Sequence, residues 1–433
     1  MNPRPAAAVL ASALALAPLA SAAATPRPAH TIVRPGDGPP LAAVELWFRA
    51  PSIGFGDPRV GIAKLAAESV AASQGREEPL AALVQDRGGR LSITVFADSV
   101  QVSAVVPASA AEEIARVALD DYTRPALTED GFKRARASVA VEAAEAQADP
   151  DAQLRTRLFA QLFAQGPDRY AVMPTVKQLG ALVFPEVLAF AKRAFRAENA
   201  VVVVVGVRDG PKLLADLGGA GNQRIAEPVQ ISRPIPGPSP VSDDSIAGPA
   251  LGFAFAGPPI ADQRAATAMD FLSDYLLNEK TGTVARALRS LSPAALVSGQ
   301  FITLHDPGIL LVEVVGDASD AVREAAARAI AAVQRPLDAA TFQRAQRAYI
   351  YRLLHDVQTA QAKADNLGWY TIEGATSYAP FEGGEDGEYL KLARALTPDY
   401  VAAVAKKYLT HTPAIAALVP ASLQKKAQAE DAK

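Results

Sequence analysis

The stretch Gly61-Ile-Ala-Lys-Leu-Ala-Ala-Glu-Ser69 decides how the rest of the chain is read. By itself it is an amphipathic helical turn. Lys64 and Glu68 stand one turn apart. They can pair at a strength of roughly a few tenths of a kcal/mol, lysine first being the weaker order. The neighbouring segments give the turn its meaning. Upstream, Ala42-Ala-Val-Glu-Leu-Trp-Phe-Arg49 alternates as a strand does. Downstream, the paired Gly88 and Gly89 lead into two more strand-like runs, Leu91 to Phe96 and Gln101 to Pro107.

The pattern occurs twice. Arg124-Pro-Ala-Leu-Thr-Glu-Asp-Gly-Phe-Lys-Arg-Ala135 echoes Arg335-Pro-Leu-Asp-Ala-Ala-Thr-Phe-Gln-Arg-Ala345, and both precede a long helical pattern with a Thr or Asp available as N-cap. Pro185-Glu186 echoes Pro398-Asp399, and each is followed by a short β-type run, Val201 to Val205 and Ala414 to Val419. Asp57-Pro-Arg59 echoes Asp262-Gln-Arg264. Three echoes in the same order at near-constant spacing imply a degenerate duplication. Between the copies, Gly218 to Gly248 holds Pro228, Pro234, Pro236, Pro238 and Pro240 among Ser, Gly and Asp, and reads as an extended linker. The expected organisation is a leader at 1–24, a first domain at 25–217, a linker at 218–248, a second domain at 249–421 and a charged tail at 422–433. The mixture of strands and helices with short links predicts an α+β layer fold rather than a doubly wound sheet.

Composition narrows the function. The 433 residues are 50% apolar with a net charge of −3, which gives material for two cores and no basic block to bind phosphates. There is no cysteine, so disulfides, thiolate zinc sites and a cysteine nucleophile are excluded. Arg4, the apolar run from Ala6 to Ala17 and Ala20-Ser21-Ala22 read as a secretory signal cleaved near Ala22, with a periplasmic or secreted product. The alternative, a membrane anchor, falls short of the ~20 residues that a span needs.

Taken collinearly, these stretches resemble the insulinase-like (pitrilysin and processing-peptidase) metallopeptidase family. Val44-Glu-Leu-Trp-Phe-Arg-Ala-Pro-Ser52 is similar to its first core strand. Gly61 to Ser69 is similar to its zinc helix, and Gly88-Gly-Arg-Leu-Ser-Ile-Thr-Val-Phe-Ala-Asp98 to its substrate-side edge strand. Phe184-Pro-Glu through Asn199 to Gly206 resembles the end of its first domain, and Phe253-Ala-Phe-Ala-Gly-Pro-Pro259 the opening of its second. The resemblance implies two tandem homologous α/β-layer domains. It also implies His-x-x-Glu-His on the helix, where two imidazoles one turn apart grip zinc and the glutamate activates water. Here Lys64, Ala67 and Glu68 stand at those three places. An ammonium cannot ligate zinc, and the family's third ligand corresponds to Glu142, with Glu145 as the other option.

The remaining positions depart as well. The edge strand has Ser92-Ile93 where the family has Asn-Ala. Main-chain pairing of a peptide along Gly88, Gly89, Leu91, Ser92 and Ile93 would survive that change, and the plain alternative is a sheet strand with no ligand. In the second half Arg289 matches a substrate-contacting arginine and Leu296 falls near an expected tyrosine; the alternative for Arg289 is a solvated helix residue. Only Gly282 remains of a glycine-rich loop in Leu277-Asn-Glu-Lys-Thr-Gly-Thr283. The four histidines, His30, His305, His355 and His411, show no metal-ligand spacing, and His355 reads as a surface or boundary residue. There is no Gly-x-Ser-x-Gly elbow.

The resemblance therefore implies a catalytically inactive subunit. It would pair with a zinc-bearing homologue in a clam-like chamber for unfolded peptides, with zinc expected only in the partner and neither nucleic acid nor stable membrane insertion involved. The alternatives are a stand-alone peptide-binding scaffold and an active peptidase that uses other residues.

Overall fold

The computed structural model describes residues 27–423 apart from 37–39, 50–58, 75–77, 227–228, 243–245 and 381. The leader read at 1–24, the turn at 50–52, Asp57 and Pro58 of one echo, and 424–433 of the tail lie outside the described residues.

The first half opens with β1 (His30–Pro35) and β2 (Leu41–Phe48), followed by α1 (Ile62–Ala72) and α2 (Leu80–Asp86). Then come β3 (Arg90–Val95), β4 (Val100–Pro107), α3 (Ala111–Thr123), α4 (Glu129–Ala148) and α5 (Pro150–Leu162). β5 (Phe163–Gln165), α6 (Val176–Ala181), α7 (Phe184–Ala194), β6 (Ala200–Val207) and α8 (Gly210–Asp216) complete it. Its sheet has the order β1-β6-β2-β4-β3. β1 runs parallel to β6, and the other neighbours are antiparallel.

The second half repeats the design. It runs through β7 (Ile231–Ser232), β8 (Pro238–Ser242), β9 (Ala250–Gly257), α9 (Gln263–Leu277), α10 (Thr283–Leu288), β10 (Leu296–Ile302) and β11 (Gly308–Val315). α11 (Asp320–Ala332), α12 (Ala339–Asp356), α13 (Ala360–Ile372), α14 (Glu388–Arg394), α15 (Pro398–Tyr408) and β12 (Ala414–Val419) follow. The second sheet reads β8-β12-β9-β11-β10, the order of the first. Local chemistry repeats too. Thr128 caps α4 by accepting from the Gly131 N–H at 3.0 Å, and Asp338 caps α12 by accepting from Thr341 at 2.9 Å. α7 and α15 each carry Pro in their first turn, where its missing N–H costs nothing. The segment read as a linker is partly woven into the sheets: β7 pairs with β5, and β8 runs parallel to β12.

The alternation of Ala42–Arg49 does not correspond to a wet face, because after Leu41 every residue of β2 is buried. Ala42, Val44, Leu46 and Phe48 pack on the helices of their own half, with Ile62, Leu65, Ile114 and Phe190. Ala43 and Trp47, with Val201, Val203 and Val205 of β6, pack instead with Ala364 and Leu367 of α13, a helix of the second half. The reciprocal holds: Leu154, Leu158 and Leu162 of α5 pack on Ala250, Ala254, Ala414 and Ala416 of the second sheet. Each half thus lends one helix to the other's sheet. Burying three such leucines is worth roughly 1.5–3 kcal/mol each, so the exchange is a principal bond between the halves.

Glycine permits both close approaches. A Cβ at Gly252 would lie 2.6 Å from Leu158 Cδ1, and one at Gly368 would fall inside the Trp47 indole. Gly368→Ala is therefore expected to lower the unfolding free energy by about 1–3 kcal/mol through overpacking, against the ~1 kcal/mol that alanine gains in a helix. Urea denaturation measures this, and a stabilised variant would contradict the exchanged packing.

Candidate functional site

α1 starts at Gly61, whose φ of 82° and contact with Pro174 leave no room for a side chain. The helix packs along α4, and that contact brings Glu142 over Lys64. The Lys64 ammonium is buried. It lies 2.7 Å from Glu68 Oε1, 3.0 Å from Glu142 Oε2 and 2.9 Å from the carbonyl oxygen of Ile93 on β3. Its three N–H groups thus have three acceptors. Glu145, the other option for the third carboxylate, is exposed on α4. Burial by itself would push the Lys64 pKa down, but Glu68 and Glu142 outweigh it and hold the pKa above its usual value. Ala67 is fully buried, and its carbonyl accepts from the Tyr122 hydroxyl at 2.9 Å.

These residues do not fit a zinc ion. A protonated amine donates to the two carboxylates that a metal would need, and no imidazole joins them. Among the described residues no group of three His, Asp or Glu side chains could hold a metal. The geometry supplies instead a fixed positive charge that ties helix, edge strand and α4 together.

The other expected residues are placed as follows. Gly88 has a φ of 75°, and a Cβ on Gly89 would lie 2.7 Å from the Val105 carbonyl oxygen, so the glycine pair turns the chain tightly onto β4. Leu91, Ser92 and Ile93 lie on β3 at the sheet edge, all half-buried. Arg289 is exposed just past α10, where it donates to the Lys280 carbonyl at 3.3 Å, and Leu296 is exposed at the start of β10. Neither takes part in the contacts of the Lys64 group. His355 is exposed on α12 beside Asp356.

The sequence reading missed a second polar group, on the face of β2 covered by α13. Glu45 is fully buried and accepts from Trp47 Nε1 at 2.8 Å and from Ser103 Oγ at 3.2 Å. Burial and the facing Asp365 push its pKa well up. Nearby, the buried Arg49 pairs with Asp98 and, at 3.1 Å, with Glu373, and donates to the Ile372 carbonyl. Burial and Asp98 push Glu373 up to about 8. The available signal was a charged residue in the middle of an otherwise apolar strand.

Residues 182–349 match the family model described as the Peptidase M16 inactive domain. A protease from Helicobacter pylori shares the fold with a TM-score of 0.78 at 15% identity, over 90% of this chain and 96% of that one. A Peptidase M16 inactive domain from Pseudomonas fluorescens gives 0.72 at 16%, over 90% and 94%. A chain of Complex III2 from Candida albicans gives 0.70 at 15%, over 90% and 93%. No curated protein sequence matches.

Two measurements follow from the charges. Lys64→Met leaves Glu68 and Glu142 facing each other, but both reach solvent. The expected loss is therefore about 1–3 kcal/mol rather than the larger cost of a wholly buried pair. Because the folded pKa of Lys64 is raised, its contribution is full below its ordinary value of 10.5 and vanishes as pH rises through the folded value. The gap between wild type and variant in urea unfolding should close at strongly alkaline pH. Glu45 behaves as an acid that prefers its proton when folded. Its stabilising effect is full below its ordinary 4.5 and is lost as pH rises towards the folded value. Glu45→Gln should therefore flatten the decline in stability as pH rises above 4.5, and equal slopes would refute the buried-acid reading.

Proposed function

We propose that this chain, an M16-type homologue by its matched stretch and its fold, is a non-catalytic subunit. It would pair with a zinc-bearing homologue and hold unfolded peptide in a shared chamber. The observation that carries this reading is the ammonium of Lys64, set between Glu68 and Glu142 and bonded to the edge strand. The helix, α4 and β3 are retained, but their charges are satisfied internally, so hydrolysis would fall to another chain. β3 remains at the edge of its sheet, and an extended peptide can add to such an edge through main-chain hydrogen bonds. The same fold is found in a chain of Complex III2, so it occurs inside a larger assembly. With the leader at 1–24 removed, the assembly would be periplasmic or secreted.

One observation favours the second reading, a stand-alone scaffold. The Ile93 carbonyl already accepts from Lys64, which leaves β3 one main-chain acceptor fewer for a peptide.

Purification of the tagged chain from its host distinguishes these readings. A second M16-type chain with an intact His-x-x-Glu-His helix, recovered in equal amount, is the expected result. The chain alone should hold no stoichiometric zinc and should not cleave an unfolded peptide. Recovery without such a partner would favour the scaffold. Stoichiometric zinc with chelator-sensitive cleavage by the chain alone would overturn both.

A further inference from the structure

Where β2 and β4 of the first half face α13 of the second lies a cavity of ≈ 800 Å³, lined from both halves. Lys64, Glu68 and Glu142 are not among its lining residues, and its volume falls within the roughly 300–1,000 Å³ typical of small-molecule pockets. Tyr170 and Gln300 are exposed residues of its lining.

Two chemistries meet on its wall. Trp47 stacks on Phe96 with ring centroids 5.6 Å apart, and Trp369 meets Phe96 edge-on at 5.0 Å. One turn before Trp369, on the same face of α13, stands Asp365. Asp365 accepts from Gln101 and faces the buried Glu45. Asp168 and Asp270 also reach the wall, held by neutral donors: Gln230 Nε2 at 2.6 Å and the Tyr389 hydroxyl at 2.6 Å. Asp98 is paired with Arg49. The one cation among the described lining residues, Arg155, is engaged by both oxygens of Glu313 at 2.8 Å. The wall therefore carries several carboxyl groups and one cation already paired, beside the partly exposed rings of Phe96 and Trp369, with Trp47 buried behind Phe96. An anionic ligand would be repelled, and an apolar one would strand the carboxyls without solvent. Burial, and for Asp168 also Asp98, pushes Asp168 and Asp270 up to about 7, so each keeps its proton more readily than an ordinary aspartate and Asp365 is left as the carboxylate that offers a charge.

We propose that this cavity binds an organic cation, an alkylammonium or guanidinium group, with its charge at Asp365 and its flanks against Phe96 and Trp369. The pairing of ring faces with a carboxylate is the chemistry by which proteins hold such groups. The site is independent of whether β3 takes a peptide. The cation can be a free small molecule or a basic side chain of a longer ligand.

The chain has two tryptophans, and both line the cavity, so intrinsic emission reports its occupancy. Butylguanidine titrated into the full chain should change that emission saturably, and the uncharged isostere butylurea should not. A short blocked peptide with one arginine, compared with its citrulline counterpart, forms the second arm. A charge-dependent response to butylguanidine assigns a free ligand, and one confined to the arginine peptide assigns a side chain; either supports the site. No charge-dependent response in either arm overturns it. Asp365→Asn, shown folded by circular dichroism, should weaken binding by about tenfold or more, and unchanged affinity would overturn the placement of the charge. The wild-type comparison needs no variant, so it decides the matter even if Asp365→Asn does not fold.

Discussion

The central strands of each of the two sheets are buried on both faces, and in each sheet one of those faces is covered by a helix of the other half. The rest of the architecture follows from this constraint. A strand such as β6, with five consecutive valines, cannot leave a face in water without exposing a wide apolar surface. α13 is therefore laid across the first sheet and α5 across the second. The glycines at 252 and 368 are placed where helix and strand come closest. Neither half retains a complete core without the other, although each has its own sheet and its own helical layer.

The exchange also explains where the buried charges lie. Glu45 and Arg49 on the first side, and Glu313 on the second, sit at or beside sheet faces that only the borrowed helix covers. Each finds a partner across the seam: Asp365 facing Glu45, Glu373 with Arg49, and Arg155 with Glu313. A group that would be costly if left unpaired becomes a device of specificity, since only the correct helix in the correct register satisfies it. The Lys64 group differs in kind. It lies within one half, between a helix, its neighbour α4 and an edge strand, and its carboxylates still reach water.

Much of this was legible in the chain itself. The echoes around Phe132 and Phe342 fall on α4 and α12, and the runs at Val201 and Ala414 fall on matching strands, because caps, prolines and β-branched runs are local signals. The fold class and the resemblance followed from their order. β1 was not read, since a short strand held parallel to a distant one leaves little trace in periodicity. β8 was hidden by the prolines of a segment that reads as extended, because an edge strand tolerates residues that a central one does not. The seam was illegible for a deeper reason. Glu45 in a strand looks like the wet half of an alternation until a helix more than three hundred residues away is known to cover it. The sequence singled out Lys64, Glu68 and Glu142, but their meeting with Ile93 depends on how far β3 reaches along α1.

The three acceptors around Lys64 have one more consequence, for the routes open to this sequence. Replacing Lys64 alone with histidine sets an imidazole beside two carboxylates, which favour its protonated form and so keep a cation at that place. Replacing Glu68 alone sets an imidazole against an ammonium. Ala67→Glu alone adds a third acid to a fully buried place. None of these single replacements supplies two imidazoles together with an acid to bind a metal. The ammonium and its three acceptors hold α1, α4 and β3 together as a unit that no one substitution turns into a metal site.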